Sequence, residues 1–169
     1  MNILQTMLSA GDGEIIQQVA RQFGIEPAKA TAALSALLPA LASGLKEKLE
    51  SGASPEITRM LSSGNLGQFV ENPRNLGSPA ALNQGRTLLA AIFGTEDTSH
   101  LVSMVAEKVG LGSSVIASIL PIAATLLGGF LSKDAAAGGN LPDTLDHIAS
   151  AGHSGLLDAV RGLASRILR

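Results

Sequence analysis

The chain has 169 residues, 46% of them hydrophobic and 15% charged, with a formal net charge of −2 and a mean hydropathy of +0.31. That balance excludes the low-hydrophobicity, high-charge pattern of disordered chains and supplies enough apolar mass for one domain, or two small ones sharing a core. There is no cysteine, tryptophan or tyrosine and only four phenylalanines, so disulfides, thiolate catalysis and cysteine zinc sites are excluded, and the core must be aliphatic. A pI near 5.9, with neither a basic stripe nor stacking aromatics, argues against a nucleic-acid partner.

The first residues, Met1-Asn2-Ile3-Leu4-Gln5, lack a basic region followed by a long apolar run. They read as no signal peptide, with cytoplasm as the expected compartment. Residues 15–25 (IIQQVARQFGI) and 101–111 (LVSMVAEKVGL) then share one pattern. Apolar side chains fall at relative positions 0, 1, 4, 5 and 8, one face of a helix, and Gly24 and Gly110 stand where a left-handed stop is expected.

A longer helix is predicted after each. The first starts near Pro27, a residue suited to the first helical turn, and carries Leu34, Leu37, Leu38, Leu41, Leu45 and Leu49. The second is expected to use Ser113 or Ser114 as N-cap and carries Val115, Ile116, Ile119, Leu120, Leu126 and Leu127. Both contain a Leu-Pro step, Leu38-Pro39 and Leu120-Pro121, and the second comes one helical turn sooner after its glycine. Proline removes a donor and crowds the preceding turn, so each long helix is expected to kink or split there.

Between these units, Ser54-Pro55 and Ser78-Pro79 read as N-caps with proline at the first helical position, and Gly64 and Gly94 as stops. Short helices are predicted near 55–63 and 66–71, a firmer one near 79–93, and one over 99–109. Asn72-Pro73-Arg74-Asn75 reads as a loop. Residues 134–140 are expected to be a flexible connector, followed by helices near 142–150 and 155–168. The last has Leu156, Leu157, Val160, Leu163, Ile167 and Leu168 on one side and Arg161, Arg166 and Arg169 away from it. No period-two strand pattern occurs. The fold class is therefore all-α, a multihelical bundle with two pseudo-repeated units at about 3–50 and 88–133.

The phrases LLPALASGLKEKL (37–49), LLAAIFG (88–94), KVGL (108–111) and ILPIAATLLGGFL (119–131), in that order, resemble the YidB-like bacterial domains of unknown function. The resemblance covers residues 3–133, assigning 1–133 to that domain and leaving 134–169 as connector and C-terminal helices packed on the same core. It implies a multihelical bacterial protein and carries over no catalytic or binding residue.

Chemistry is sparse. His147 and His153 are six residues apart near Asp143, Asp146 and Asp158, whereas a zinc-binding helix places its ligands four apart. His100 is expected in the first turn of its helix, in a capping or surface role. Ser43-Gly44-Leu45-Lys46 matches the S-x-x-K of penicillin-recognising enzymes, but neither S-D-N nor K-T-G accompanies it. Gly152-His153-Ser154-Gly155 is no nucleophile elbow, because Leu156 replaces the second glycine. Phosphate-cradling glycine motifs are missing, and Gly11-Asp12-Gly13-Glu14 reads as a turn into an acidic helix start. No catalytic, metal or cofactor residues are assigned, and no cofactor is expected.

Residues 109–132 carry no charge, long enough for a membrane span. Pro121, Gly128-Gly129, Ser113, Ser114, Ser118 and Thr125 interrupt the run, and a buried core helix is the expected reading. The functional expectation is a non-enzymatic module acting through a protein partner or self-association, motivated by an apparent surplus of apolar residues. The alternatives are membrane association through 109–132 or 155–169, and an enzyme of unrecognised type.

Overall fold

Helical periodicity organises the chain throughout the computed structural model, which describes residues 13–52, 54–63 and 65–150. Helix α1 spans Glu14–Phe23 and α2 spans Pro27–Glu50. Next come α3 (Ser54–Ser62), α4 (Gly67–Glu71) and a 3-10 turn at Pro73–Gly77. Helices α5 (Pro79–Ile92), α6 (Gly94–Val109) and α7 (Ser113–Ala136) follow, and α8 covers 141–150. Among the described residues there is no strand. The protein is an all-α multihelical bundle.

The two glycine stops have one geometry. Gly24 (φ 62°) and Gly110 (φ 70°) are both left-handed. Each N–H reaches back to an alanine carbonyl, Ala20 or Ala106, which also accepts from the next residue, Ile25 or Leu111. This double closure satisfies carbonyls that a helix end leaves unpaired. The residue ahead of each long helix, Glu26 or Gly112, is extended (ψ 144° and 143°). Gly112, with Ser113 already helical, therefore takes the N-cap position expected of Ser113 or Ser114. At α5 the expected cap does form: the Ser78 hydroxyl accepts from the Ala81 N–H at 3.3 Å.

Neither proline splits its helix. Both α2 and α7 run for 24 residues, through Pro39 and Pro121 respectively. An interior proline costs about 3 kcal/mol, and tertiary packing offsets it: both prolines are buried, and α7 buries fourteen residues. At roughly 1.5–3 kcal/mol for each fully buried large aliphatic side chain, packing of Ile116, Ile119, Leu120, Ile122, Leu126, Leu127 and Leu131 outweighs the lost hydrogen bond.

Helix α7 is the axis of the bundle, packed against α2, α3, α4, α5, α6 and the 3-10 turn. Its closest neighbour is α5. At Gly85 an added Cβ would overlap the Pro121 carbonyl oxygen and come within 2.7 Å of Thr125 Oγ1, so glycine lets the two backbones touch. Gly129 does the same for the entry to α4, where a Cβ would come within 2.7 Å of the Leu66 carbonyl oxygen, while a Cβ at Gly128 would meet the Leu66 side chain at 2.7 Å. They are contact points inside a continuous helix.

Two other boundaries differ from expectation. Helix α6 begins at Gly94, not at 99, because Gly94 (φ 70°) turns the chain directly from α5 into α6. Glu96 and Asp97 then lie in its first turn, where the helix dipole favours acids. The connector is short as well: α7 continues to Ala136, and only 137–140 precede α8. The predicted helix 155–168, His153 and Asp158 lie outside the described residues.

Candidate functional site

The interior is almost wholly aliphatic. Among the described residues only Thr125 and Ser132 are buried polar side chains. The Thr125 hydroxyl lies 2.7 Å from the Ala81 carbonyl oxygen and 3.0 Å from that of Pro121, so it serves the α5–α7 contact and is aimed at no cleft. Burying such a hydroxyl without a partner would be costly, and no described buried side chain lacks one.

Among the described residues, the histidines singled out from sequence sit on separate helices, whereas Ser43, Lys46 and Asp146 share one groove. His100 sits in the second turn of α6, exposed beside Ser99, Ser103 and Glu96. His147 is exposed on α8. Asp143 accepts from the Asn140 amide at 3.0 Å, while Asp146 reaches across to α2. Among the described residues no group of three His, Asp or Glu side chains could hold a metal ion. Ser43 and Lys46 lie one turn apart on the surface of α2, and the Lys46 ammonium points at Asp146, with Glu50 3.8 Å away.

That ion-paired groove is the most developed polar feature. Its α2 wall is Ser43, Lys46, Glu47 and Glu50, and its α8 wall is Asp146, Ala149 and Ser150. The hydrogen bond to Asp146, followed by the charges of Asp146 and Glu50, holds the Lys46 pKa above its ordinary 10.5. Helix α8 is seated by Leu145 and Ile148, both fully buried, and by Ala149. Thr144 Oγ1 also donates to the Asp134 carboxylate at 2.6 Å. Sequence reasoning missed this pairing, because Lys46 and Asp146 are 100 residues apart and neither has a distinctive neighbour pattern.

Two other surface grooves are polar and open. One lies between α1 and the 3-10 turn, where Arg74 and Glu14 approach to 3.4 Å beside Arg21. The other lies between α3 and α5, lined by Glu56, Arg59, Asn65, Asn83 and Gln84. Among the described residues Met104 is the one large hydrophobic side chain that is well exposed, at 61%. The apolar surplus read from composition is therefore taken up by the core wherever the chain is described.

No curated protein and no solved structure matches the chain. The family described as bacterial protein of unknown function (DUF937) matches residues 5–134, a span that takes in α1 and reaches the last turn of α7. The Leu-Pro helices and the IFG step that carry the resemblance all fall inside that match, and the chain belongs to the DUF937 family.

Proposed function

We propose that the protein is a non-enzymatic helical module that works in the cytoplasm through protein–protein contacts. The observation carrying this reading is the aliphatic interior: with Thr125 engaged by backbone carbonyls, the described chemistry lies on the outside. Dispersed ion pairs and shallow polar grooves suit recognition of another surface better than chemistry on a small molecule, which ordinarily uses a concave pocket with convergent polar groups.

Two further features support parts of the reading. Helices α2 and α7 are both long and apolar enough to cross a membrane, yet the most apolar stretch of α7 is 72% buried within the bundle and that of α2 is 50% buried. That is how the core helices of a water-soluble bundle behave. The shared glycine geometry and equal 24-residue lengths support reading α1–α2 and α6–α7 as two copies of one helical unit.

The test uses the full chain, tagged and expressed in its native host. Capture of the same partner, or self-association by sedimentation, that is lost in a charge-reversed groove variant with an unchanged thermal melt supports the proposal. A monomer that retains no partner under cross-linking overturns it. Flotation with anionic liposomes would favour the membrane alternative instead.

A further inference from the structure

Of the four methionines in the chain, Met60 and Met104 fall among the described residues, and their settings are opposite. Met60 is half-buried, packed against the core and lining the groove between α3 and α5. Met104 is 61% exposed, and His100, Ser103, Glu107 and Lys108 are exposed around it on α6. The buried side of that helix is made by Leu101, Val102, Val105 and Ala106, and a 3.6-residue period turns position 104 away from them. The core therefore sets no requirement for an apolar side chain there.

The paired helical unit shows what else the position accepts. Met104 stands three residues after Leu101, and the same step from Ile15 in α1 reaches Gln18. Glutamine and methionine sulfoxide are chemically alike: each is unbranched and neutral, and each carries an acceptor oxygen on its δ atom. A thioether in this place can thus become a sulfoxide without disturbing the helix. His100 and Lys108, four residues to either side, are neighbours on the helix surface and bring N–H donors to the new oxygen. At Met60 the same oxygen would enter a contact with the aliphatic core, where an unpaired polar atom is costly.

We propose that Met104 is a site of reversible oxidation by peroxides, where the one well-exposed large apolar side chain of the described surface becomes polar while the bundle stays intact. The thioether sulfur attacks a peroxide oxygen, the O–O bond breaks, and the S–O bond forms. With hydrogen peroxide, water leaves; sulfur loses two electrons and the peroxide gains them. A sulfoxide reductase driven by a dithiol reverses the step, the oxygen departing as water and the dithiol closing to a disulfide. This inference goes beyond the protein-interaction reading and needs no partner.

The test exposes the full chain to hydrogen peroxide and follows each methionine by mass spectrometry. Trypsin places Met60 and Met104 on separate peptides, 60–74 and 87–108. In the folded chain Met104 should gain its oxygen at least about five-fold faster than Met60, because attack follows exposure. In concentrated urea the two should react alike. Sulfoxide reductases for both epimers, supplied with dithiothreitol, should return the 87–108 peptide of the folded chain to its first mass. Met104→Gln, which mimics the sulfoxide, should melt within about 2 °C of wild type.

Met60 keeping pace with Met104 in the folded chain overturns the proposal. A rate ratio that survives in urea does the same, since the preference would then owe nothing to the fold. Reductases that leave the folded sulfoxide untouched remove reversibility. A Met104→Gln chain that melts well below wild type, or does not fold, shows that the bundle needs the thioether and equally refutes it.

Discussion

Replacing Gly85 by alanine tests the central contact of the fold. In an ordinary helix interior that change stabilises by about 1 kcal/mol, because glycine gives up more backbone entropy on folding. Here the new Cβ would overlap the Pro121 carbonyl oxygen and come within 2.7 Å of both the Pro121 carbonyl carbon and Thr125 Oγ1. Rotation of a side chain cannot relieve contact with a backbone oxygen, so α5 and α7 must move apart. Overpacking of this kind costs about 1–3 kcal/mol. Separation also stretches the buried bond from the Thr125 hydroxyl to the Ala81 carbonyl, now 2.7 Å, a further 1–3 kcal/mol or so if it breaks. Against the propensity gain, Gly85→Ala should destabilise by about 3 kcal/mol, which is roughly 6–12 °C in Tm for a chain of this size. Urea denaturation followed by circular dichroism measures it, with Ala90→Gly on the exposed side of α5 as the control that changes propensity alone. A Gly85→Ala protein as stable as wild type, or more so, would refute the close crossing.

Thr125→Val keeps the side-chain shape but removes the hydroxyl shared by two backbone carbonyls; the expected loss is about 1–2 kcal/mol in the same urea experiment. Gly24→Ala and Gly110→Ala each place a Cβ on a left-handed residue, which costs about 1–2 kcal/mol; matching losses that add in the double variant are expected, and a loss at only one site would contradict the equal geometry. The Lys46 pKa is raised in the folded chain, so its contribution to docking α8 is fully present below pH 10.5 and declines as the pH climbs through the raised value. Amides of residues 141–150 should lose protection there ahead of α7 after correction for intrinsic exchange rates, an effect absent in Lys46→Met.

How much of this was legible in advance divides by the range of the interaction. Apolar side chains one turn apart, Pro27 and Pro79 at first helical positions, the Ser78 cap and the left-handed glycines at 24 and 110 all act within a few residues, and each was readable from the linear order. Within the described residues the elements they predict are present, with shifts at their ends. The beginning of α6 was misplaced because Gly94 both closes one helix and opens the next, a double use that propensity alone does not reveal.

What the linear order determined was which stretches are helical and which face of each must escape water, because those depend on local backbone sterics and a 3.6-residue period. Only the tertiary structure decided that Pro39 and Pro121 remain inside continuous helices, that Gly85, Gly128 and Gly129 are points of close approach, and that Lys46 meets Asp146 across 100 residues. Those outcomes compare a local penalty with burial against distant partners, and the second quantity has no value until the helices have met.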